Sequence, residues 1–198
     1  MKFKQRLARK ILRWMKWQLT GEPEGIQCWH DTQKCILISA PHTSIMDYVL
    51  GYITLVSLGK KGSFLINKKF FFFPLNLILK AHGGIPVVTG KDKKDFLQQV
   101  TASFEKADKM FLTITPEGTR KKVTRWKKGF YQLVQRTGAP LLIGALDYKK
   151  KHVILGNAFT ITGDFNADMI EIGKFYKDVS GKYPEKFSIH VSEQGQLH

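Results

Sequence analysis

Short apolar runs alternate with amphipathic segments along most of this 198-residue chain, and this alternation limits the possible folds more than any other feature. Short apolar runs are typical of buried strands, and longer segments with apolar residues every three or four positions are typical of helices. The apolar runs occupy residues 35–40, 63–66, 85–88, 110–115, 140–146 and 153–155. The helical patterns occupy residues 45–58, 74–81, 92–109, 127–136 and 167–179. The alternation predicts a single α/β domain with a largely parallel mixed sheet flanked by helices.

The N-terminal residues 1–20 are predicted to form a basic amphipathic helix that precedes the main domain at residues 21–198. The first 19 residues contain seven Lys and Arg and no acid, and Gly21 ends the helical pattern. Such a helix, with Trp14 and Trp17 near its apolar side, can lie in a membrane interface. Packing on its own domain is the alternative. We favour the membrane interface, because so many cations without acids are unusual on a packed helix.

The overall charge is strongly positive, since 32 Lys and Arg against 16 Asp and Glu give a formal charge of +16. Half of these cations lie in residues 1–19, 118–128 and 149–151. An excess of this size implies an anionic partner, which can be nucleic acid, an anionic membrane surface or an acidic carrier protein.

Cys28 and Cys35 fit neither a disulfide framework nor a metal motif, so we expect reduced thiols and no metal site. No apolar stretch approaches the ~20 residues that a membrane span needs. The N-terminus also lacks the apolar core and cleavage site of a signal peptide. We therefore expect no transmembrane span.

A histidine and an aspartate five positions apart, His42 and Asp47, follow the first predicted strand. Pro41 ends that strand and places His42 in a turn before the helix, so the two side chains can meet. An aspartate that contacts a histidine fixes its tautomer and stabilises its protonated form, as a general base requires. The alternative is helix capping, with Ser44 as the N-cap and Asp47 as a capping-box acid. The spacing alone leaves both interpretations open.

A second motif follows the predicted strand at 110–115, where open α/β sheets bind their ligands. It consists of Pro116, Glu117, Gly118, Thr119 and Arg120. Proline and glycine favour a turn, and an arginine there can hold a phosphate or carboxylate through two hydrogen bonds. A surface turn with a solvated acid and arginine is the alternative.

Four consecutive phenylalanines, flanked by lysines, follow the second predicted strand. They are Phe70, Phe71, Phe72 and Phe73. Such a run can belong to the core, or it can form an aromatic patch that contacts a membrane or lines an acyl-chain slot. The sequence leaves these roles open.

Taken in order, the motifs resemble those of the glycerophospholipid (lysophospholipid) acyltransferase family, the 1-acylglycerol-3-phosphate acyltransferase-like proteins. His42 and Asp47 match the family's H-x4-D motif. Residues 84–87, 116–120 and 139–142 match the second, third and fourth blocks. The resemblance covers residues 35 to at least 146.

This resemblance implies an O-acyltransferase that moves a fatty acyl group from acyl-CoA or an acyl carrier protein to a lysolipid hydroxyl. His42 would act as the general base and Asp47 would orient it. The third block, Glu117, Gly118, Thr119 and Arg120, would hold the acceptor, with Arg120 on its anionic head group. The enzyme would act as a peripheral protein on the cytoplasmic face of an anionic membrane, with no cofactor beyond its acyl donor.

Two positions depart from the family pattern. The asparagine that often precedes the histidine is Pro41 here, which leaves the pair of His42 and Asp47 intact, and the arginine that usually ends the second block is replaced by Thr89. Lys91, Lys93 or Lys94 can supply the missing cation, and Thr89, Lys91 and Lys121 are candidate contacts to the substrate or the donor. Alternatively, the acceptor is a non-glycerol lyso-aminolipid. A basic nucleic-acid-binding protein is the alternative from another class. It explains neither motif, so we expect no nucleic acid partner.

Overall fold

The computed structural model describes residues 2–87 and 93–187, with the backbone alone for residues 93–96. Within these residues the chain forms one seven-stranded sheet in the order β1-β7-β6-β2-β5-β3-β4. Its strands are β1 (Gln18–Thr20), β2 (Lys34–Ala40), β3 (Gly62–Asn67), β4 (Gly84–Val87), β5 (Met110–Ile114), β6 (Leu141–Asp147) and β7 (His152–Phe159). Neighbouring strands are parallel except β6 and β7, which are antiparallel. The predicted single α/β domain with a largely parallel mixed sheet is confirmed.

Helices cover both faces of this sheet. They are α1 (Lys2–Trp14), α2 (Pro23–Asp31), α3 (Met46–Leu58), α4 (Leu75–Ala81), α5 (Lys93–Glu105), α6 (Gly129–Thr137) and α7 (Phe165–Tyr176), with 3₁₀ turns at Lys68–Phe70 and Pro184–Lys186. Gly59 and Gly138 follow α3 and α6 in the left-handed conformation, which explains why both helices end there.

The central strand β2 is buried on both faces, which explains its continuous apolar sequence. Ile36 and Ile38 belong to the core beneath α5, α6 and α7. Cys35 and Leu37 belong to the opposite core, which α1, α2 and α3 cover. Cys35 is a buried free thiol, and Cys28 is a half-buried one.

The N-terminal region differs from its prediction. The helix α1 ends at Trp14, and Gln18–Thr20 pairs with β7 as an edge strand, so residues 1–20 are not a unit separate from 21–198. The helix packs on α3, and Arg9 donates a hydrogen bond to the Ser57 carbonyl at 3.1 Å. Helix α2 was not predicted, because its nine residues begin at Pro23, which also favours a turn.

Other boundaries differ by a few residues. Helix α5 ends at Glu105 rather than at 109, and α7 begins at Phe165, where the Asp164 side chain accepts hydrogen bonds from two backbone N–H groups. The predicted strand at 85–88 extends to Val88, which lies outside the described residues.

Three neighbouring strands, β6, β2 and β5, end at the same edge of the sheet because they run parallel. The turn after β2 carries His42, and the turn after β5 carries Glu117. The two sequence motifs therefore meet at this edge, which we call the carboxyl edge.

Candidate active site

The His42 and Asp47 side chains are in contact. The Nδ1 atom of His42 lies 3.2 Å from Oδ2 of Asp47. His42 precedes α3, as predicted, and Asp47 lies in the first turn of that helix. Because Nδ1 faces the carboxylate, Nε2 is the nitrogen available to accept a proton. The His42 side chain keeps 20% of its surface exposed, so a substrate can reach it.

Asp47 also accepts hydrogen bonds from the backbone of its own turn. The N–H groups of Thr43 and Ser44 both donate to Oδ2 at 2.8 Å. Asp47 therefore reaches back as a capping-box acid does, while it also contacts His42. Ser44 is not the N-cap of α3, because that position is Ile45, although the Ser44 hydroxyl accepts the Met46 N–H at 3.2 Å. Asp47 therefore contacts His42 and also holds the backbone of the turn, whereas the predicted N-cap at Ser44 is wrong.

A tyrosine absent from the sequence prediction completes this arrangement. The Tyr148 hydroxyl donates to Oδ1 of Asp47 at 2.6 Å. Tyr148 directly follows β6, so it reaches the carboxyl edge beside the motif that follows β2. Its position after a predicted strand was the available signal, but a lone tyrosine followed by lysines carries no motif.

These hydrogen bonds determine the ionisation of Asp47. Burial raises the pKa of this carboxyl, but hydrogen bonds from His42, Tyr148 and the Ser44 N–H outweigh burial, and the pKa falls below its ordinary value. Burial and the bond to Asp47 raise the pKa of Tyr148, so its hydroxyl stays a donor. Asp47 is thus an anion at neutral pH, able to stabilise a protonated His42.

Glu117 lies inside the protein rather than in a solvated turn. It is 4% exposed, and its Oε1 accepts the backbone N–H of His42 at 2.8 Å. Its Oε2 is buried without a hydrogen-bond partner in the described part of the chain. Burial raises the pKa of Glu117 to about 7, although its own N–H and that of His42 oppose this shift. Glu117 joins the third block to the turn that carries the histidine.

The rest of the third block faces outward. Gly118 has a left-handed φ of +63°, which glycine adopts without strain, and the turn is closed by the Lys127 N–H, which donates to the Pro116 carbonyl at 2.8 Å. Arg120 and Lys121 are exposed and Thr119 is half-buried.

The basic segment 120–128 follows this turn and is fixed to the core by Val123 and Trp126. Trp126 is 2% exposed and packs edge-on against Tyr176, with ring centroids 5.4 Å apart. The cations around it remain exposed; they are Arg120, Lys121, Lys122, Arg125, Lys127 and Lys128. The segment therefore presents positive charge beside the third block.

Two candidate binding residues, Thr89 and Lys91, lie outside the described residues. The side chains of Lys93 and Lys94 are not described either. Among the described residues, no group of three or more His, Cys, Asp or Glu side chains is placed to hold a metal ion.

The tryptophans predicted for membrane contact differ. Trp14 is 83% exposed, whereas Trp17 is 4% exposed and packs edge-on against Tyr148 with ring centroids 5.0 Å apart. The structure thus corrects the prediction for Trp17, because a membrane cannot reach its ring.

The phenylalanine run follows β3, so it begins at the carboxyl edge of the sheet. Phe70, Phe72 and Phe73 are exposed by 42%, 59% and 79%, and Phe71 is half-buried. The exposed Leu77 and Ile78 of α4 continue this apolar surface. We call Phe70, Phe72, Phe73, Leu77 and Ile78 the aromatic patch. In the described part of the chain, no helix has the length and apolarity to cross a bilayer.

A histidine in contact with a buried carboxylate thus lies at the carboxyl edge of a largely parallel α/β sheet, where such folds bind their ligands. The family model described as Acyltransferase matches residues 23–143, which is more than half of the chain. The chain therefore belongs to the Acyltransferase family, and the resemblance and enzyme class predicted from its motifs are confirmed.

The fold is also similar to a crystal structure, that of the 1-acyl-sn-glycerophosphate (LPA) acyltransferase PlsC from Thermotoga maritima. The TM-score is 0.62 at 15% sequence identity, and the match covers 89% of this chain and 76% of that chain. No curated protein sequence matches the chain significantly. The two proteins share a fold.

Proposed function

We propose that this acyltransferase moves a fatty acyl group from a thioester to the hydroxyl of a lysophospholipid at a membrane surface. The observation that carries the proposal is the 3.2 Å contact between His42 and Asp47. Family membership supports acyl transfer. The shared fold with PlsC, a 1-acyl-sn-glycerophosphate acyltransferase, supports a phosphate-bearing lysolipid as the acceptor.

The reaction needs one proton transfer in each direction. Nε2 of His42 takes the proton from the acceptor hydroxyl while that oxygen attacks the thioester carbonyl. Asp47 stabilises the imidazolium, as its low pKa allows. The tetrahedral intermediate then collapses, the carbon–sulfur bond breaks, and His42 returns its proton to the leaving thiolate. The acyl group passes directly to the acceptor, so no residue of this chain is acylated.

The acceptor's head group is proposed to lie against the outer part of the third block. Gly118, Thr119 and Arg120 border the turn that Glu117 ties to His42. The exposed guanidinium of Arg120 can hold a phosphate in two-point fashion. Glu117 holds the turn from inside, and Lys121 adds a second cation beside Arg120.

The thioester donor is proposed to approach along the basic segment 120–128. Its exposed cations match the phosphates of coenzyme A and also the acidic surface of a carrier protein. Both donors end in the same phosphopantetheine thioester, so the chemistry at His42 is the same for each.

The membrane is proposed to contact the aromatic patch and Trp14. The patch starts at the carboxyl edge, where His42 lies, and the exposed Lys68, Lys69 and Lys80 border it. Apolar side chains edged by lysines suit the boundary between acyl chains and anionic head groups. The strong positive charge of the chain supports an anionic bilayer as the surface.

The test is thioester consumption with acyl-CoA or acyl carrier protein, against lysophosphatidate, glycerol 3-phosphate and lyso-aminolipids on anionic liposomes. We expect transfer to lysophosphatidate and a fall of about 10²–10⁴-fold in kcat for His42→Ala, because the base is lost. His30→Ala is the matched control, since His30 is exposed and precedes β2 at the opposite edge of the sheet. A wild-type rate for His42→Ala would overturn the base assignment. Transfer to none of the acceptors would overturn the proposed function.

A further inference from the structure

Tyr148 is joined to the dyad of His42 and Asp47 but has no part in the steps above. Its hydroxyl lies 2.6 Å from Oδ1 of Asp47, whereas His42, Thr43 and Ser44 all contact Oδ2. Among the described residues, Tyr148 is the donor that holds the second oxygen of this carboxylate. The three contacts to Oδ2 come from the short turn after β2, and the contact to Oδ1 comes from the turn after β6.

We infer that Tyr148 is a positioning residue, which fixes the Asp47 carboxylate against rotation so that Oδ2 stays on Nδ1 of His42. This inference rests on the proposed acyl transfer with His42 as the base. A carboxylate held at both oxygens by separate elements keeps one orientation, and the histidine it holds keeps one tautomer. Without Tyr148, Oδ1 loses its partner in a site where Asp47 is only 8% exposed.

Tyr148 is itself held by the N-terminal region. Its ring meets the edge of Trp17 at a centroid distance of 5.0 Å and an interplanar angle of 88°. The backbone N–H of Trp17 donates to the Leu12 carbonyl of α1 at 2.8 Å. The Tyr148 N–H donates to the Ser180 carbonyl at 2.8 Å. A continuous set of contacts thus runs from the end of α1 through Trp17 and Tyr148 to Asp47.

A second buried tyrosine–aspartate pair provides a matched control. The Tyr131 hydroxyl donates to Oδ2 of Asp168 at 2.6 Å, between α6 and α7. The bond length to the aspartate is the same as for Tyr148 and Asp47, although the Tyr131 hydroxyl also accepts the Gly163 N–H at 3.0 Å, and His42 is not a member of this pair. Loss of the Tyr131 hydroxyl therefore reports the structural cost of such a bond without the effect on the dyad.

The kinetic test compares the wild type, Tyr148→Phe and Tyr131→Phe with the same donor and acceptor. For Tyr148→Phe we expect kcat to fall roughly 10- to 100-fold, as for the loss of a hydrogen bond to a charged group. KM should stay within about twofold, because Tyr148 acts through Asp47 rather than on the substrate. Tyr131→Phe should leave kcat unchanged. A wild-type kcat for Tyr148→Phe, or an equal loss in Tyr131→Phe, would overturn the inference.

The pH profile separates positioning from a general loss of stability. Because His42 is the proposed base, its deprotonation sets the acid limb of kcat. Tyr148→Phe removes a donor to Asp47 and leaves more negative charge on the carboxylate that faces protonated His42, so the acid limb should move to higher pH. The other titratable groups that face the pair are His42, which contacts Asp47, Glu117 from the turn after β5, and Tyr183 before the second 3₁₀ turn. Both variants retain all three residues. An acid limb at the wild-type position in Tyr148→Phe would contradict positioning.

A measurement without substrate keeps the inference separable from the proposed function. The ring nitrogens of His42 are observed by ¹⁵N NMR in the substrate-free protein, with the signal assigned by its loss in His42→Gln. We expect Tyr148→Phe to change the ring shifts and Tyr131→Phe to leave them unchanged. Unchanged shifts in Tyr148→Phe would sink the inference even if acyl transfer is demonstrated. If the wild type transferred no acyl group but Tyr148→Phe changed the ring shifts, only the proposed function would be overturned.

Trp17→Phe is a second variant, and it leaves the Tyr148 hydroxyl in place. It should change kcat in the same direction as Tyr148→Phe but by less, because the smaller ring supports Tyr148 less closely. The double variant should be no slower than Tyr148→Phe, since the two residues act in one series of contacts. Additive losses would show that Trp17 does not act through Tyr148.

Discussion

Asp47 and Glu117 are two buried carboxylates of one site, yet their pKa values move in opposite directions. Asp47 is 8% exposed and Glu117 is 4% exposed. Asp47 accepts four hydrogen bonds, and the side chain of Glu117 accepts one from His42. The pKa of Asp47 falls, and that of Glu117 rises to about 7. The donors to Asp47 outweigh its burial, whereas burial outweighs the donors to Glu117.

The two turns therefore contribute to the site in different ways. The turn after β2 keeps a fixed negative charge beside His42. The turn after β5 places a carboxyl that titrates near neutral pH inside the protein and a permanently charged guanidinium, Arg120, outside it. The first turn is suited to proton transfer and the second to holding a substrate. Each prediction below tests one part of this contrast.

The largest expected effect is that of Asp47→Asn on the reaction rate. The amide lacks the charge that stabilises protonated His42, and its NH₂ group cannot accept the hydrogen bonds that one carboxylate oxygen accepts. We expect kcat to fall by about 10³–10⁴-fold, with a small effect on KM. Steady-state kinetics with a fixed donor concentration measure both quantities.

Asp168→Asn is the matched control for this variant. Asp168 is a buried acid with its own hydrogen-bond donors, Tyr131 and Thr162, but neither of these residues belongs to the active site. We expect Asp168→Asn to lower the melting temperature and to keep kcat near the wild-type value. If Asp47→Asn kept at least a tenth of the wild-type kcat, the charge on Asp47 would not be what distinguishes the two carboxylates.

The sequence was sufficient for the alternation of strands and helices, because these patterns follow from local burial. It also located His42, Asp47 and Arg120, because Pro41 and the strand ends constrain where those residues lie. The sequence could not identify Tyr148 as part of the site. Tyr148 lies 101 positions from Asp47 along the chain, and the parallel pairing of β2 and β6 brings the two residues together. A long-range contact of this kind depends on strand order, which no local pattern determines.

The N-terminal region shows a different limit of the sequence. A helical pattern with cations predicted a separate helix of residues 1–20, but the pattern could not tell that β7 offers a free edge to Gln18–Thr20. Glu117 shows a third limit, since acids are mostly exposed and nothing local marks this one as buried. Its burial follows from the N–H of His42, which needs an acceptor inside the site.

The next effect concerns Glu117 and the pH dependence of stability. Its pKa is about 7 in the folded protein against an ordinary value of 4.5, so between these pH values the folded state binds more protons than the unfolded state. Stability therefore falls as pH rises through this window, by about 3 kcal/mol from this group. The low pKa of Asp47 changes stability in the opposite direction. The stability that Asp47 contributes is present above pH 3.8 and is lost as the pH falls below that value.

Glu117→Gln isolates this effect, because an amide resembles the protonated acid and can still accept the His42 N–H. The free energy of unfolding is measured with urea at pH 4.5 and at pH 8. From the lower to the higher pH it should fall more in the wild type than in Glu117→Gln. The variant should thus gain stability over the wild type at pH 8 and match it near pH 4.5. A constant difference between the two proteins across this range would mean that Glu117 is already charged at pH 4.5, as Asp47 is at neutral pH.

The smallest expected effect is that of Arg120→Ala, which tests the outer side of the turn after β5. Because Arg120 is exposed, its removal should change the free energy of unfolding by less than about 0.5 kcal/mol. Water screens its contact with an acceptor phosphate, so we expect KM for lysophosphatidate to rise by roughly three- to tenfold while kcat stays near wild type. Arg136→Ala, at the exposed end of α6, is the matched control and should change neither quantity. If kcat fell as steeply as in Asp47→Asn, Arg120 would act on the transition state. The division between a proton-transfer turn and a substrate-holding turn would then be wrong.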